Sequence, residues 1–267
     1  MKLSIVVSTQ PAKFAALAFK GNLEQNTKLI KSLGYDGIEL TVRDPRLLDV
    51  PKIKALTIDQ GFPVSAIGTG QAFGEEGLSF SDPDPQIRRK AIERIKLQVD
   101  LAAELNSLVI IGLMRGIVGE DQDRKEAEQW ILEALEACAS VNPEVRLAIE
   151  PCNRYEANTV NNVAEGLAMV NTLGCDNVGL LLDSFHMNIE DPSIYKSIEM
   201  ADQKIFHFHI ADSNRWYPGA GHLNFPKIVA QLNAVNYQGF LSAEILPIPD
   251  GPTSAEKTIQ HMSPIIK

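Results

Sequence analysis

Eight short apolar or alternating runs divide the 267-residue chain, and a segment with helical features separates each pair. They are LSIVVS (3–8), GIELTV (37–42), VSAIG (64–68), LVIIG (108–112), RLAIEP (146–151), VGLLLD (178–183), IFHFHI (205–210) and FLSAEI (240–245). Runs of this length bounded by turn residues read as strands. Between them, NLEQNTKLIKSLG closes at Gly34, a second helical stretch ends at Gly61, and a third begins near DPDPQ. That third segment carries Ile87, Ala91, Ile92, Ile95, Val99 and Ala102 at helical spacing. Later segments close at Gly174 and Gly239, residues that enter the left-handed region without a Cβ clash. A strand–helix unit repeated eight times predicts a (β/α)₈ TIM barrel, read as one domain over 1–267. A doubly wound sheet would need a glycine fingerprint after the first strand, where STQPAKFAA stands instead.

Composition narrows the class further. Hydrophobic residues make up 45% of the chain, enough for a large core, and the formal net charge is −9. That balance argues against a surface built to grip nucleic-acid phosphates. The cysteines Cys138, Cys152 and Cys175 are odd in number and widely spaced, which gives neither a disulfide framework nor a zinc pattern. The opening MKLSIVVSTQ is too short for a signal-peptide core, and no run approaches a membrane span. The expectation is a cytoplasmic protein.

In such barrels the chemistry sits at the C-terminal ends of the strands. The last four strands place Glu150, Asp183, His209 and Glu244 at that end, each following apolar residues. Carboxylates that close together cannot all stay ionised without compensation, and a divalent cation is the obvious compensator. Three oxygen-donor side chains with one imidazole suit Mn²⁺, Mg²⁺, Co²⁺ or Zn²⁺, and no thiolate narrows the choice. A charge network holding no ion is the competing account. His207, one layer deeper on the same strand face as His209, reads as a core histidine partnered by Ser242.

At these residues the chain resembles the xylose isomerase-like superfamily, and within it the D-tagatose/D-psicose 3-epimerase group. The motifs are AIEPCNRYE, LLLDSFHMNIE, FHFHIADSNRWYPGAGH and LSAEI. AIGTGQAF, VIIGLMRG and DSNRWYPG are similar to the 5-keto-L-gluconate epimerase branch. The resemblance implies that Glu150, Asp183, His209 and Glu244 are metal ligands and that Glu150 and Glu244 also form the acid–base pair. It places Glu156, His186 and Arg215 on substrate oxygens, and it implies a dimer or tetramer.

Epimerising a carbon beside a ketone requires removing a weakly acidic proton and returning one to the opposite face. A metal can shift a bound water's pKa from about 15.7 to about 7. At about 1.36 kcal/mol per unit that is on the order of 12 kcal/mol. One neutral oxyanion donor contributes only about 3–4 kcal/mol. Two glutamates from different strands can then serve the two faces. The glycine-rich stretch 68–80 is expected to act as a lid, and Arg115 is expected to bind a substrate carboxylate. Trp216 and Tyr217 read as pocket wall or as packing. A 1,2-aldose–ketose isomerase such as hydroxypyruvate isomerase fits the same residues, and an inosose-type dehydratase is a further relative. An endonuclease IV-like nuclease would need more histidines than the five present.

Overall fold

The computed structural model describes residues 1–266. Its nine strands are β1 (Lys2–Ser8), β2 (Phe19–Lys20), β3 (Ile38–Thr41), β4 (Val64–Gly68), β5 (Val109–Ile111), β6 (Leu147–Ile149), β7 (Val178–Asp183), β8 (Ile205–Ile210) and β9 (Phe240–Ala243). The ten α-helices are α1 (Leu23–Ser32), α2 (Val50–Leu56), α3 (Gly70–Glu76), α4 (Pro85–Leu105), α5 (Arg124–Ala139), α6 (Val163–Leu173), α7 (Ser184–Glu190), α8 (Ile194–Ala201), α9 (Phe225–Ala234) and α10 (Gly251–Met262). All strand pairings are parallel, and they run from β1 through β3 to β9 in chain order. Leu3 lies opposite Leu241 and Ile5 opposite Ala243, so β9 returns to β1 and the eight-stranded barrel closes. All eight apolar runs form barrel strands, and β7 and β8 match their expected spans residue for residue.

The strands read as apolar runs because a parallel sheet under helices is buried on both faces; every residue of β7 is buried. On β3, Ile38 and Leu40 belong to the main core, while Glu39 reaches the β8 histidines across the barrel. Helix ends follow local chemistry. Asp84 caps α4 by accepting from the Gln86 amide, Pro85 occupies the first turn, and Asn106 ends the helix in the left-handed conformation. Among the described residues no helix is long and apolar enough to cross a membrane.

Three local readings need correction. Helix α9 ends at Ala234, well before Gly239, and Asn236 takes the left-handed conformation at φ 59°. Strict alternation along IFHFHI places Phe206 on one face with Phe208 and Ile210, but Phe206 leaves that pattern in β8. The register slips by one residue there, from Leu180 opposite Ile205 to Leu181 opposite His207. This bulge turns the Phe206 ring toward the cluster of Ala66, Leu108, Ile110, Ala148 and Leu181. Finally, β2 was not anticipated, because two residues carry no periodicity. It pairs with Val7 and Ser8 of β1, past the point where β9 stops.

Candidate active site

A cleft opens at the C-terminal end of the barrel, and its walls include Glu150, His186, His209, Arg215, Glu156 and Glu244. Glu150 and Glu244 follow directly on β6 and β9, Asp183 ends β7, and His209 lies in β8. One ligand atom from each of Glu150, Asp183, His209 and Glu244 lies within 4.8 Å of the others. Three of these atoms are buried and have no hydrogen-bond partner: Glu150 Oε1, Asp183 Oδ2 and His209 Nδ1. His209 Nδ1 is 3.7 Å from Glu150 Oε1 and 3.8 Å from Asp183 Oδ2. Buried polar atoms are nearly always partnered. Three orphans converging with a further carboxylate form a donor set that fits a divalent cation.

Asp183 and His186 are each held by the polar atom that faces away from the cleft. Asp183 uses Oδ1 to accept the Phe185 amide at 2.7 Å, which caps α7 and leaves Oδ2 turned to the cleft. His186 Nδ1 accepts from the Asn153 backbone amide at 3.3 Å and lies 2.7 Å from the Asn153 side-chain nitrogen. With Nδ1 as acceptor, the neutral imidazole carries its hydrogen on Nε2. That nitrogen stands 3.7 Å from Glu150 Oε1, an N–H directed at the site. Burial keeps His186 below the ordinary histidine range, which favours the neutral donor.

Electrostatics separate the carboxylates. Burial, then the nearby Glu244, pushes Glu150 up to about 8. Glu244 is also raised, chiefly by burial, although Arg215 opposes the shift. Burial works against ionised Asp183 too, but His186 and His209 outweigh it and hold this carboxyl below its usual range. Burial likewise disfavours charge on His209; Glu39 and Asp183 overcome it and raise this group well above the histidine range.

Arg215 joins two walls of the cleft. Its guanidinium donates to Glu156 at 2.5 Å and to Glu244 at 2.9 Å, and it lies 5.0 Å from the Phe14 ring centre and 4.8 Å from that of Phe185. Its backbone is left-handed at φ 61°. The surrounding loop maintains that conformation. The Arg215 amide donates to the Asp212 carbonyl and its own carbonyl accepts from Leu246. The Asp212 carboxylate accepts from the amides of Ser213, Gly219 and Leu223. Asp212 therefore organises the Arg215 loop and is not the guanidinium's counter-ion.

Arg115 does not join this group. It is 1% exposed, and its guanidinium donates to the carbonyls of Ile111, Thr159 and Val160. It ties the loop after β5 to the loop after β6 and is absent from the cleft wall, so direct contact with a substrate carboxylate is not supported by its placement. An arginine in an apolar loop looks the same in sequence whether it faces a ligand or backbone carbonyls. Trp216 and Tyr217 do not line the cleft either, and Tyr217 packs against the core. The stretch 68–80, expected to act as a lid, contributes wall through Gly68, Thr69, Gly70, Gln71, Gly74 and Glu75, and Gly70–Glu76 is helical.

His207 pairs with Glu39 at 2.9 Å, while the Ser242 hydroxyl expected to partner it has no hydrogen bond. Glu39, Asn153 and Lys13 are among the polar residues that sequence reasoning passed over. An acid in the middle of the buried run GIELTV was the available signal for Glu39.

Gly112 shows how tightly Glu150 is enclosed. A Cβ there would lie 2.5 Å from Glu150 Oε2 and 3.5 Å from Cys152 Sγ. Gly112→Ala is expected to lower kcat/KM by about 100-fold, since displacement of about 1 Å at reacting groups can cost that much. Melting temperature should move by only a few degrees, and steady-state kinetics alongside thermal unfolding would check both.

Comparison with known proteins agrees with this architecture. An L-ribulose 3-epimerase from Mesorhizobium japonicum is 30% identical over 237 residues, covering 86% of this chain and 78% of that protein. A 3-dehydro-D-guloside 4-epimerase from Escherichia coli is 29% identical over 240 residues, covering 85% and 88% respectively. A solved structure of L-ribulose 3-epimerase superposes with a TM-score of 0.84 at 26% identity, covering 99% of this chain and 94% of the other. The family model described as xylose isomerase-like TIM barrel matches residues 27–265, and the chain belongs to that family.

Proposed function

We propose that the protein is a divalent-metal-dependent epimerase of a ketose or keto sugar acid. The observation that carries this reading is the convergence of three unpartnered buried donor atoms, on Glu150, Asp183 and His209, with Glu244 beside them in one cleft. Glu150, Asp183, His209 and Glu244 would hold the ion, with manganese as the first candidate. When bound, it supplies positive charge that offsets the negative charge developing on a ketose oxygen as the adjacent proton leaves.

The remaining work belongs to side chains. Glu150 and Glu244 come from strands separated by two others, so they can approach a substrate carbon from different sides; one takes the proton and the other returns one. Burial raises Glu150 to about 8 in the metal-free protein; a bound cation would favour its ionised form, the form that can take up a proton. The Nε2–H of His186 and the guanidinium of Arg215 present donors to substrate oxygens, and Glu156 presents an acceptor to a hydroxyl. Lys13 and Arg215 are the lysine and arginine side chains on the cleft wall. A sugar acid would meet Lys13 at the rim.

The test is incubation of metal-loaded protein with neutral ketoses and keto sugar acids in D₂O, followed by location of the exchanged hydrogen. Deuterium at a stereocentre beside the ketone, with appearance of the epimer, is the expected result. Label at C1 with aldose formation would establish a 1,2-isomerase instead, loss of water would indicate a dehydratase, and no exchange with any sugar would overturn the reading.

A further inference from the structure

Glu39 is 1% exposed on the inner face of β3 and contacts both histidines of β8. Its Oε2 lies 2.9 Å from His207 Nε2 and 3.0 Å from His209 Nε2, with Oε1 3.1 Å from the latter. An ionised carboxylate has no hydrogen to give. Both imidazoles must therefore donate, and each carries a hydrogen on Nε2. In neutral His209 the lone pair then sits on Nδ1, the unpartnered buried atom that faces Glu150 and Asp183.

We propose that Glu39 is a positioning residue: it fixes the tautomer and tilt of His209 so that Nδ1 is the metal-binding atom, while His207 anchors Glu39 through the second hydrogen bond. This inference rests on the metal reading above. A carboxylate partner on the far nitrogen of a ligating imidazole orients the ring and increases its basicity. The two β8 histidines thus have different roles despite facing the same way. The ring of His207 stands edge-on to that of His209, with centres 5.4 Å apart.

Glu39, His207 and His209 also have the spacing of a small metal cluster. Their mutual contacts have ordinary N–H···O lengths, and neither Glu39 nor His207 has a buried side-chain atom without a partner. The group is satisfied internally, whereas the Nδ1 side of His209 is not.

The experiment measures Mn²⁺ binding to the intact wild-type chain and to Glu39→Gln by titration calorimetry. It also records ¹⁵N–¹H correlations of the histidine rings in the Zn²⁺-loaded wild type. Both Glu39 oxygens contact His209 Nε2, so in either orientation Gln sets its NH2 group, a donor, against the Nε2–H, and it also lacks the charge. One ion per wild-type chain and affinity weakened by about 10- to 100-fold in the variant are expected, a range typical of lost outer partners. The ring spectrum should show Nε2–H and metal-shifted Nδ1 for His209. Nδ1–H with a metal-shifted Nε2 would overturn the proposal even if the variant fails to fold, as would two ions per chain or unchanged affinity in a folded variant. Absence of metal binding by wild type would instead overturn the metal reading itself.

Discussion

Glu150→Gln and Glu244→Gln are each expected to reduce kcat/KM for epimerisation by about 10³-fold or more. The amide preserves volume and one acceptor oxygen but cannot take up and release a proton at neutral pH. General acid–base groups typically contribute about 10²- to 10⁴-fold, and these two residues are also proposed to hold the ion, so the effects compound. Fold stability should not fall with activity. Both carboxyls are buried beside Asp183, and burial and like charge raise both groups. Removing one acid relieves that crowding, and the metal-free variants should melt at or above the temperature of metal-free wild type. Steady-state kinetics with a ketose substrate and thermal unfolding would check the pair. A variant that keeps one-tenth of wild-type activity would remove that residue from the acid–base role.

Exhaustive chelation is expected to abolish turnover, and Mn²⁺ should restore it. The pH dependence of reloading follows from the site. In the metal-free protein Glu150 holds its proton up to about 8, and His209 is also held in its protonated form well above the ordinary histidine range. Ligation requires the ionised carboxylate and the free Nδ1, so binding must release protons. Apparent affinity should rise with pH through about 8 and level off once these groups are deprotonated. Calorimetry at pH 6.5 in buffers of different ionisation enthalpy would measure the protons released. Undiminished turnover after complete metal removal would refute the metal-dependent mechanism.

The barrel was legible because its code is redundant. Eight buried parallel strands must all be apolar, so an error at one, such as Phe206, does not disturb the pattern of the rest. Glu150, Asp183, His209 and Glu244 were legible for a related reason: an acid or imidazole after several apolar residues interrupts the code where barrel chemistry belongs. Glu39 interrupts it too, but inside its strand, two residues before the end of β3, and its meaning depends on two histidines far away in sequence. Arg115 failed differently. Its neighbours along the chain gave no indication that it would turn toward the Thr159 and Val160 carbonyls, since that depends on how two loops pack. Loop contacts of this kind have no periodicity from which to read them.

The clasp on Arg215 has an entropic corollary. A free arginine has four flexible torsions, and immobilising it on a ligand costs about 0.5–1.5 kcal/mol of affinity. Here two carboxylates, two aromatic rings and a restrained backbone have already immobilised the side chain during folding. An incoming sugar finds its donors already oriented, and that part of its binding energy remains for discriminating the stereochemistry of the hydroxyls.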